Sequence, residues 1–252
     1  MKPTAMEPFG HRWRCHVCRA SVIIQTSYFG DATCSKCGSL LWPRPPRDQE
    51  AVRARNLLSH SGAKFGIDRE NLSWKIQFSH LEIQEKTTKR LKQIGPITEL
   101  YLYDCRLSEL SISILSDLQT LEVLELSSTN ITEKSLALVN RLTQLELLAL
   151  DETNITDESL QQLSQLSKLW SLDLDHTKIQ GSHLGKLSFI DQLECLSLSR
   201  TSVGDKALAQ LHFATKLEEL WVENTNVTPR GIRRLKKWLP NCIIHSSFEN
   251  VG

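Results

Sequence analysis

Four cysteines near the start of the sequence have the spacing of a metal site. Cys15 and Cys18 form one Cys-x-x-Cys pair, Cys34 and Cys37 form a second, and fifteen residues separate the two pairs. Two such pairs bind Zn²⁺ tetrahedrally through four thiolates, and this ligand set leaves no open position for a reacting molecule. The sequence therefore predicts a structural zinc site rather than a catalytic one.

Two other chemistries fit the same cysteines. The pairs are compatible with two disulfides, or one pair with a redox role. The segment Met1 to Gly10 has no apolar run of the kind found in a signal peptide, and the βαβ pattern that surrounds redox pairs is missing. Cys105, Cys195 and Cys242 are an odd, scattered set that suits a reducing compartment. We therefore favour zinc and a cytoplasmic location.

The elements that would position these cysteines are short. The β-prone segment Ser21-Val-Ile-Ile-Gln-Thr26 lies between the pairs, and Gly38 suits a turn after the second pair. Residues 10 to 42 resemble a zinc ribbon, which implies that bound metal supplies most of the folding free energy, on the order of 10 kcal/mol. We expect a ribbon module over residues 1–42. A stiff, proline-rich linker and a capping helix, predicted over 48–58, follow within residues 43–72.

The rest of the sequence repeats with a period of 24 residues. An apolar pair with one residue between its members returns at each interval, as Ile76/Phe78, Leu100/Leu102, Leu124/Leu126, Leu148/Leu150, Leu172/Leu174, Leu196/Leu198 and Leu220/Val222. A fixed period of this length indicates stacked supersecondary units, in which each unit buries its apolar side against its neighbours.

One unit shows the internal pattern. It reads Leu121-x-x-Leu124-x-Leu126-x-x-Thr129-x-Ile131, and a short helix with leucines at three-residue spacing is predicted to follow. This pattern resembles the leucine-rich repeat family, LxxLxLxxN/CxL, and in particular its bacterial members. The resemblance covers residues 73 to 248. It implies an α/β solenoid over residues 73–252, shaped as a horseshoe with a parallel β-sheet on the concave face and short helices on the convex face.

One position departs from the family pattern throughout. The family's Asn or Cys position holds Cys105 once and threonine in the following units, at Thr129, Thr153, Thr177, Thr201 and Thr225. In the family an asparagine there bonds the backbone of adjacent turns, and a threonine hydroxyl can donate and accept in the same place.

The formal net charge of +1 conceals a segregated charge distribution. Residues 97–228 carry nine Lys or Arg against twenty Asp or Glu, whereas residues 1–60 carry nine against four and residues 229–252 five against one. Segregated charge bears on binding partners rather than on the fold.

The strand positions predict where the acidic residues lie. Side chains on either side of each buried leucine point to the outer face of the sheet, which is predicted to be acidic and aromatic. Large aromatic groups of this kind dominate binding hot spots. The predicted partner-binding residues are Glu99, Tyr101, Tyr103, Glu125, Asp151, Asp173, Asp175, Glu219, Trp221 and Glu223. The alternative is that these acids only confer solubility.

The sequence contains none of the motifs that carry common enzyme chemistry. It has no Gly-x-x-x-x-Gly-Lys loop, no Gly-x-Ser-x-Gly elbow and no His-Glu-x-x-His, and no small-molecule substrate is evident. No apolar stretch is long enough to span a membrane. The resemblance implies protein binding, and we predict a non-enzymatic cytoplasmic adaptor, of bacterial origin, that binds a basic protein segment.

A second hypothesis is association with nucleic acid. Arg12, Trp13, Arg14 and Arg19 mix basic and aromatic side chains in the ribbon segment, and the C-terminal segment Arg230 to Trp238 is strongly basic. The apolar positions of that C-terminal segment belong to the repeat, which favours an ordinary structural role for it.

Overall fold

The protein is described here by a computed structural model. It describes residues 12–14, 21–26, 32–34, 36, 49–67 and 73–248. Near the start, β1 (Arg12–Arg14), β2 (Ser21–Thr26) and β3 (Ala32–Cys34) form an antiparallel sheet in the order β1-β2-β3.

The predicted zinc ligands fall almost entirely outside the described residues. Cys15, Cys18 and Cys37 lie outside them, as do Arg19 and the predicted proline-rich linker, and Cys34 is described only as the last residue of β3. The zinc site therefore stays a prediction.

The remaining strands build the solenoid. They are β4 (Lys64–Ile67), β5 (Trp74–Ser79), β6 (Glu82–Ile83), β7 (Ile97–Tyr103), β8 (Arg106–Leu107), β9 (Val123–Glu125), β10 (Leu147–Ala149), β11 (Ser171–Asp173), β12 (Cys195–Ser197), β13 (Glu219–Trp221) and β14 (Ile243–His245). All except β6 and β8 belong to one nine-stranded sheet, and its strands are parallel from β5 to β14. Leu124 pairs with Leu148 and Leu148 with Leu172, so the register follows the 24-residue period.

The strands alternate with short helices. These are α1 (Gln49–His60), α2 (Glu85–Leu91), α3 (Glu109–Leu115), α4 (Glu133–Val139), α5 (Asp157–Leu160), α6 (Asp205–Leu208) and α7 (Pro229–Lys236), with 3₁₀ turns at Gln161–Leu163, Leu184–Lys186 and Ala209–Phe213. Thr132 with Ser135, and Thr156 with Ser159, form reciprocal capping boxes at two helix starts. No helix in the described part of the chain has both the length and the apolar character to cross a membrane.

One unit lacks the α-helix that its sequence predicts. Between β11 and β12 the described chain forms only the 3₁₀ turn Leu184–Lys186. Gly181 stands where Asp157 begins α5 and Asp205 begins α6, and its φ of +82° is incompatible with a right-handed helix. His183 also lies outside the right-handed helical region, with a φ of −125°, so no α-helix begins here.

One apolar core runs through the solenoid from α1 to Cys242. At its N-terminal end, α1 buries Ala54 and Leu58, and β4 pairs antiparallel with β5. The sequence pattern predicts the helix but not β4. Together they cover the first repeat, so β5 does not present an open strand edge.

A left-handed residue follows β5, β7 and each strand from β9 to β13. Seven non-glycine residues have φ between 49° and 57°, namely His80, Asp104, Ser128, Glu152, His176, Arg200 and Asn224. In the last five of these turns the threonine that follows donates its hydroxyl to the carbonyl three residues earlier, as Thr177 does to Leu174 at 2.6 Å. The threonine thus closes its own turn, in contrast to the bond between adjacent turns that is made by the family's asparagine.

Adjacent units are joined by aspartates at helix starts instead. Asp157, 6% exposed, accepts hydrogen bonds from the Gly181 amide at 2.9 Å and the Ser182 hydroxyl at 2.9 Å in the next unit. Asp205 likewise accepts from the Thr228 amide at 2.8 Å and hydroxyl at 2.7 Å. A Cβ on Gly231 would collide with the Asp205 carboxylate, so a larger residue there would displace the carboxylate from these hydrogen bonds.

Candidate interaction surface

Four carboxylates meet at the centre of the sheet face that points away from the buried leucines, here called the open face. Glu125 lies on β9, Asp173 lies on β11, and Asp151 and Asp175 come two residues after β10 and β11. The buried Ala149 pairs with both Glu125 and Asp173 and lies between them. We call Glu125, Asp151, Asp173 and Asp175 the carboxylate cluster.

Hydrogen bonds hold these carboxylates against the sheet. Glu125 accepts from the amide of Ser127 at 3.1 Å, and Asp173 accepts from the amide of Asp175 at 2.9 Å. Asp151 accepts from the hydroxyl of Ser127, and Asp175 from the hydroxyl of Ser197. The carboxylates are therefore oriented by the protein before any ligand arrives.

Burial disfavours the ionised form of carboxylates in the cluster. Each of its side chains is only partly exposed, and Ser127 and Ser199 beside them are buried. Burial, and to a smaller extent the charges of Asp175, Asp151 and Glu125, raise the pKa of Asp173 to about 7. Burial also raises the pKa of Glu125 and that of Asp175, and in both cases Asp151 adds to the effect.

Little positive charge compensates the cluster. Within residues 49–67 and 73–248, no Lys, Arg or His forms an ion pair with any of the four carboxylates. Arg200 acts from a distance and lowers the pKa of Asp175. The same residues contain no grouping of three or more His, Cys, Asp or Glu side chains arranged to hold a metal ion. The cluster is thus a compact negative patch in the middle repeats of the solenoid.

The N-terminal flank of the open face is electrostatically satisfied. Lys75 on β5, which the sequence analysis did not include in this face, forms an ion pair with Glu99 at 2.6 Å. Tyr101 donates its hydroxyl to Glu99 at 2.7 Å. Tyr103 is 43% exposed and contacts His80 edge-to-face with ring centroids 5.6 Å apart. Of these predicted partner-binding residues, Tyr103 offers the most accessible surface.

At the C-terminal flank an aromatic stack lies beside acids. Trp221 stacks on His245 with ring centroids 4.9 Å apart and an interplanar angle of 9°. The His245 Nε2 lies 3.7 Å from a Glu219 carboxylate oxygen, and Glu223 is exposed. One face of the indole is therefore already covered by the imidazole ring.

A second row of acids was missed by the sequence analysis. It precedes the strands at 24-residue spacing and consists of Glu122, Glu146, Glu194 and Glu218, with Trp170 in place of an acid between Glu146 and Glu194. Backbone hydrogen bonds of 2.8 to 3.0 Å connect successive members. Trp170 is 36% exposed. The recurrence of these positions every 24 residues could have identified the row. However, the period-two alternation of a strand assigns these positions to the inner face.

The thiol on the open face is not a nucleophile of the usual kind. Burial raises the pKa of Cys195, and Glu219, Glu194 and Glu218 raise it further. A reactive cysteine needs the opposite, a positive environment that favours the thiolate.

The comparisons with known proteins concern the fold. No family model matches the sequence, and no curated protein matches it in sequence. An internalin (inlF) from Listeria monocytogenes superposes with a TM-score of 0.52 at 20% identity, covering 81% of this chain and 58% of its own. Internalin C2 from the same organism gives 0.51 at 24% identity, covering 68% and 70%. The chain has the leucine-rich repeat fold.

The α/β solenoid expected from the sequence is thereby confirmed, with its parallel sheet and short helices. The match to the leucine-rich repeat neighbours concerns architecture alone, because identity at or below 24% is too low to carry over their binding properties. This chain also spans only 58% of the length of the first of them.

Proposed function

We propose that this leucine-rich repeat protein is a non-enzymatic adaptor that binds a basic segment of a partner protein on its open, concave face. The observation that carries the proposal is the carboxylate cluster. It is oriented by backbone amides, partly buried, and free of ion pairs with the described residues. An arginine or lysine of a partner would provide the missing positive charge.

The unfavourable electrostatics of the cluster support a binding role. Partly buried carboxylates with raised pKa values lower the stability of the folded state near neutral pH, and a purely solubilising surface has no need of burial. Residues that reduce stability without a structural benefit are characteristic of functional sites. Trp221 and Tyr103 at the two flanks, and Trp170 in the second acidic row, add apolar contact area.

The proposal is tested by reversing charge within the cluster. We expect Glu125→Lys with Asp173→Lys to reduce capture of a basic partner from extracts of the native cell at least tenfold, measured by quantitative mass spectrometry. Capture by the wild type should strengthen between pH 6 and pH 8, because Asp173 ionises over that range.

The matched control is Glu109→Lys with Asp191→Lys. Both carboxylates are exposed and outside the open face, and the change in net charge is the same. Circular dichroism should be unchanged in both variants. If the cluster variant and the control capture the same proteins in equal amounts, binding on this face is wrong.

We also propose that Cys15, Cys18, Cys34 and Cys37 hold one structural Zn²⁺ in a cytoplasmic protein. In support, β1 ends at Arg14 immediately before the first pair, Cys34 ends β3, and Ile24 pairs with Cys34 across an antiparallel hairpin. Each pair would thus begin where a strand stops, as zinc knuckles do.

Metal analysis tests the zinc proposal. We expect about one equivalent of zinc in protein purified without chelators, and less than half an equivalent in Cys15→Ser with Cys18→Ser. Cys105→Ser is the control, because its thiol is buried in the solenoid. Wild-type protein with an intact fold and less than half an equivalent would exclude the site.

A further inference from the structure

The last helix presents a row of cations on its outer surface. Arg230, Arg233, Arg234 and Lys237 are all exposed, while Ile232 and Leu235 on the opposite side are buried in the core. The four cations line a shallow cleft of about 510 Å³ together with Trp238. Their spacing of three and four residues places them on one face of the helix.

These cations have no acidic partner within the described residues. None of the ion pairs found in residues 49–67 and 73–248 includes Arg230, Arg233, Arg234 or Lys237. This contrasts with Arg141 and Lys92, which both pair with Asp117. The positive charge of the cleft is therefore available to an anionic ligand.

Exposed aromatic rings lie at one end of the cationic row. Trp238 is 43% exposed, and the preceding repeat contributes Phe213, which is 55% exposed. His212 lies between them, with its ring centroid 3.8 Å from that of Phe213 and 5.5 Å from that of Trp238. The Arg234 guanidinium carbon lies 5.3 Å from the centroid of Trp238. The sequence alone does not bring these two repeats together in this way.

We propose that this cleft binds single-stranded nucleic acid. Arg230 and Lys237 are about 10 Å apart along the helix, which is enough to follow two successive phosphates. The rings of Phe213 and Trp238 provide surfaces on which unpaired bases stack. The bases of a duplex are already stacked on each other. An acidic polypeptide would pair with the arginines but leave both rings without a partner.

This site is separate from the open face. It belongs to the helix side of the last repeats, carries the opposite charge and involves none of the residues of the carboxylate cluster. A result that excludes partner binding on the open face would therefore not exclude this site, and the reverse also holds.

The test is fluorescence anisotropy of a labelled twelve-nucleotide oligouridylate with the full chain at 50 to 200 mM salt. We expect affinity to fall with salt with a log–log slope of about −1.5 to −2, as two or three phosphate contacts predict. Arg233→Glu with Arg234→Glu should weaken binding about 20-fold or more, because two of the four cations that line the cleft are replaced by carboxylates that repel phosphate. Phe213→Ala, which removes only an exposed ring, should weaken it about 10-fold.

The matched control is Lys134→Glu with Lys178→Glu. Both lysines are exposed, lie in earlier repeats and form no ion pair with a described residue, and the net charge changes equally. Its affinity should stay within about twofold of the wild type.

Three results would overturn the proposal. The first is binding that survives Arg233→Glu with Arg234→Glu, which would place the nucleic acid elsewhere, for example on Arg12 and Arg14. The second is equal competition by polyglutamate together with no effect of Phe213→Ala, which would indicate an acidic polypeptide. The third is concentration-dependent self-association in sedimentation that the arginine reversal abolishes, which would make the cleft a contact between copies of this chain.

Discussion

Replacing Gly181 with alanine is expected to lower the free energy of unfolding by about 3 kcal/mol. The backbone φ of +82° accounts for about 1 kcal/mol, because L residues with a Cβ rarely adopt it. The added Cβ would also collide with the Cβ of Ala207 in the next repeat, and overpacking of this kind costs about 1 to 3 kcal/mol. Urea denaturation of the wild type and the variant measures the difference.

Two further variants separate these causes. Gly204→Ala is the control, since its φ is −134° and its nearest neighbour would be 3.5 Å away, and we expect a loss below about 1 kcal/mol. Combining Gly181→Ala with Ala207→Gly removes the collision, so the double variant should be less destabilised than the sum of the single changes by about 1 kcal/mol or more. If Gly181→Ala has the same free energy of unfolding as the wild type, the close packing of Gly181 against Ala207 is wrong.

Replacing Asp173 with asparagine is expected to stabilise the protein by about 1 to 2 kcal/mol above pH 7. Burial and the neighbouring carboxylates raise the pKa of Asp173 to about 7, so the folded state binds a proton that the unfolded state has already lost. The stabilising contribution of that proton is full below pH 4 and is lost as pH rises through 7. Partial exposure of the side chain keeps the effect well below that of a fully buried group.

The advantage of the asparagine variant should therefore be small near pH 4, grow between pH 4 and 7, and level off above that. The amide oxygen can still accept from the amide of Asp175, so the fold is kept. Asp117→Asn is the control of opposite sign. Hydrogen bonding to Lys92 lowers the pKa of Asp117, so its replacement should reduce stability at neutral pH and have less effect in acid. A difference between Asp173→Asn and the wild type that does not change with pH would be inconsistent with a raised pKa.

Much of the solenoid follows from the sequence because its contacts are local in the period. Each leucine packs against its equivalents 24 residues away, so one repeat predicts the next, and the registers of Leu124 with Leu148 and of Leu148 with Leu172 were readable in advance. The absence of an α-helix after β11 could not be predicted in this way. Gly181 looks like an ordinary helix-start substitution until the left-handed φ and the contact with Ala207 are seen.

The candidate site likewise has features that the sequence predicts and features that it does not. The residue types on the open face followed from strand alternation, including Glu125 and Asp173. Their partial burial did not, because it depends on how closely Ala149, Ser127 and Ser199 pack around them. The ion pair between Lys75 and Glu99 also depends on the pairing of β5 with β7. The sequence analysis did not include β5 in the open face.

The cysteine pairs illustrate what the sequence determines by itself, namely ligand type and spacing, since the chemistry of a Cys-x-x-Cys knuckle is set by residues next to one another in the chain. The 24-residue period likewise determines the strand, the buried leucine and the outward acid. Only the tertiary structure decided which outward acids lie close enough to raise each other's pKa, and which rings of different repeats meet beside Arg234. Those properties arise from distances between repeats, and distances between residues remote in sequence are fixed only when the units stack.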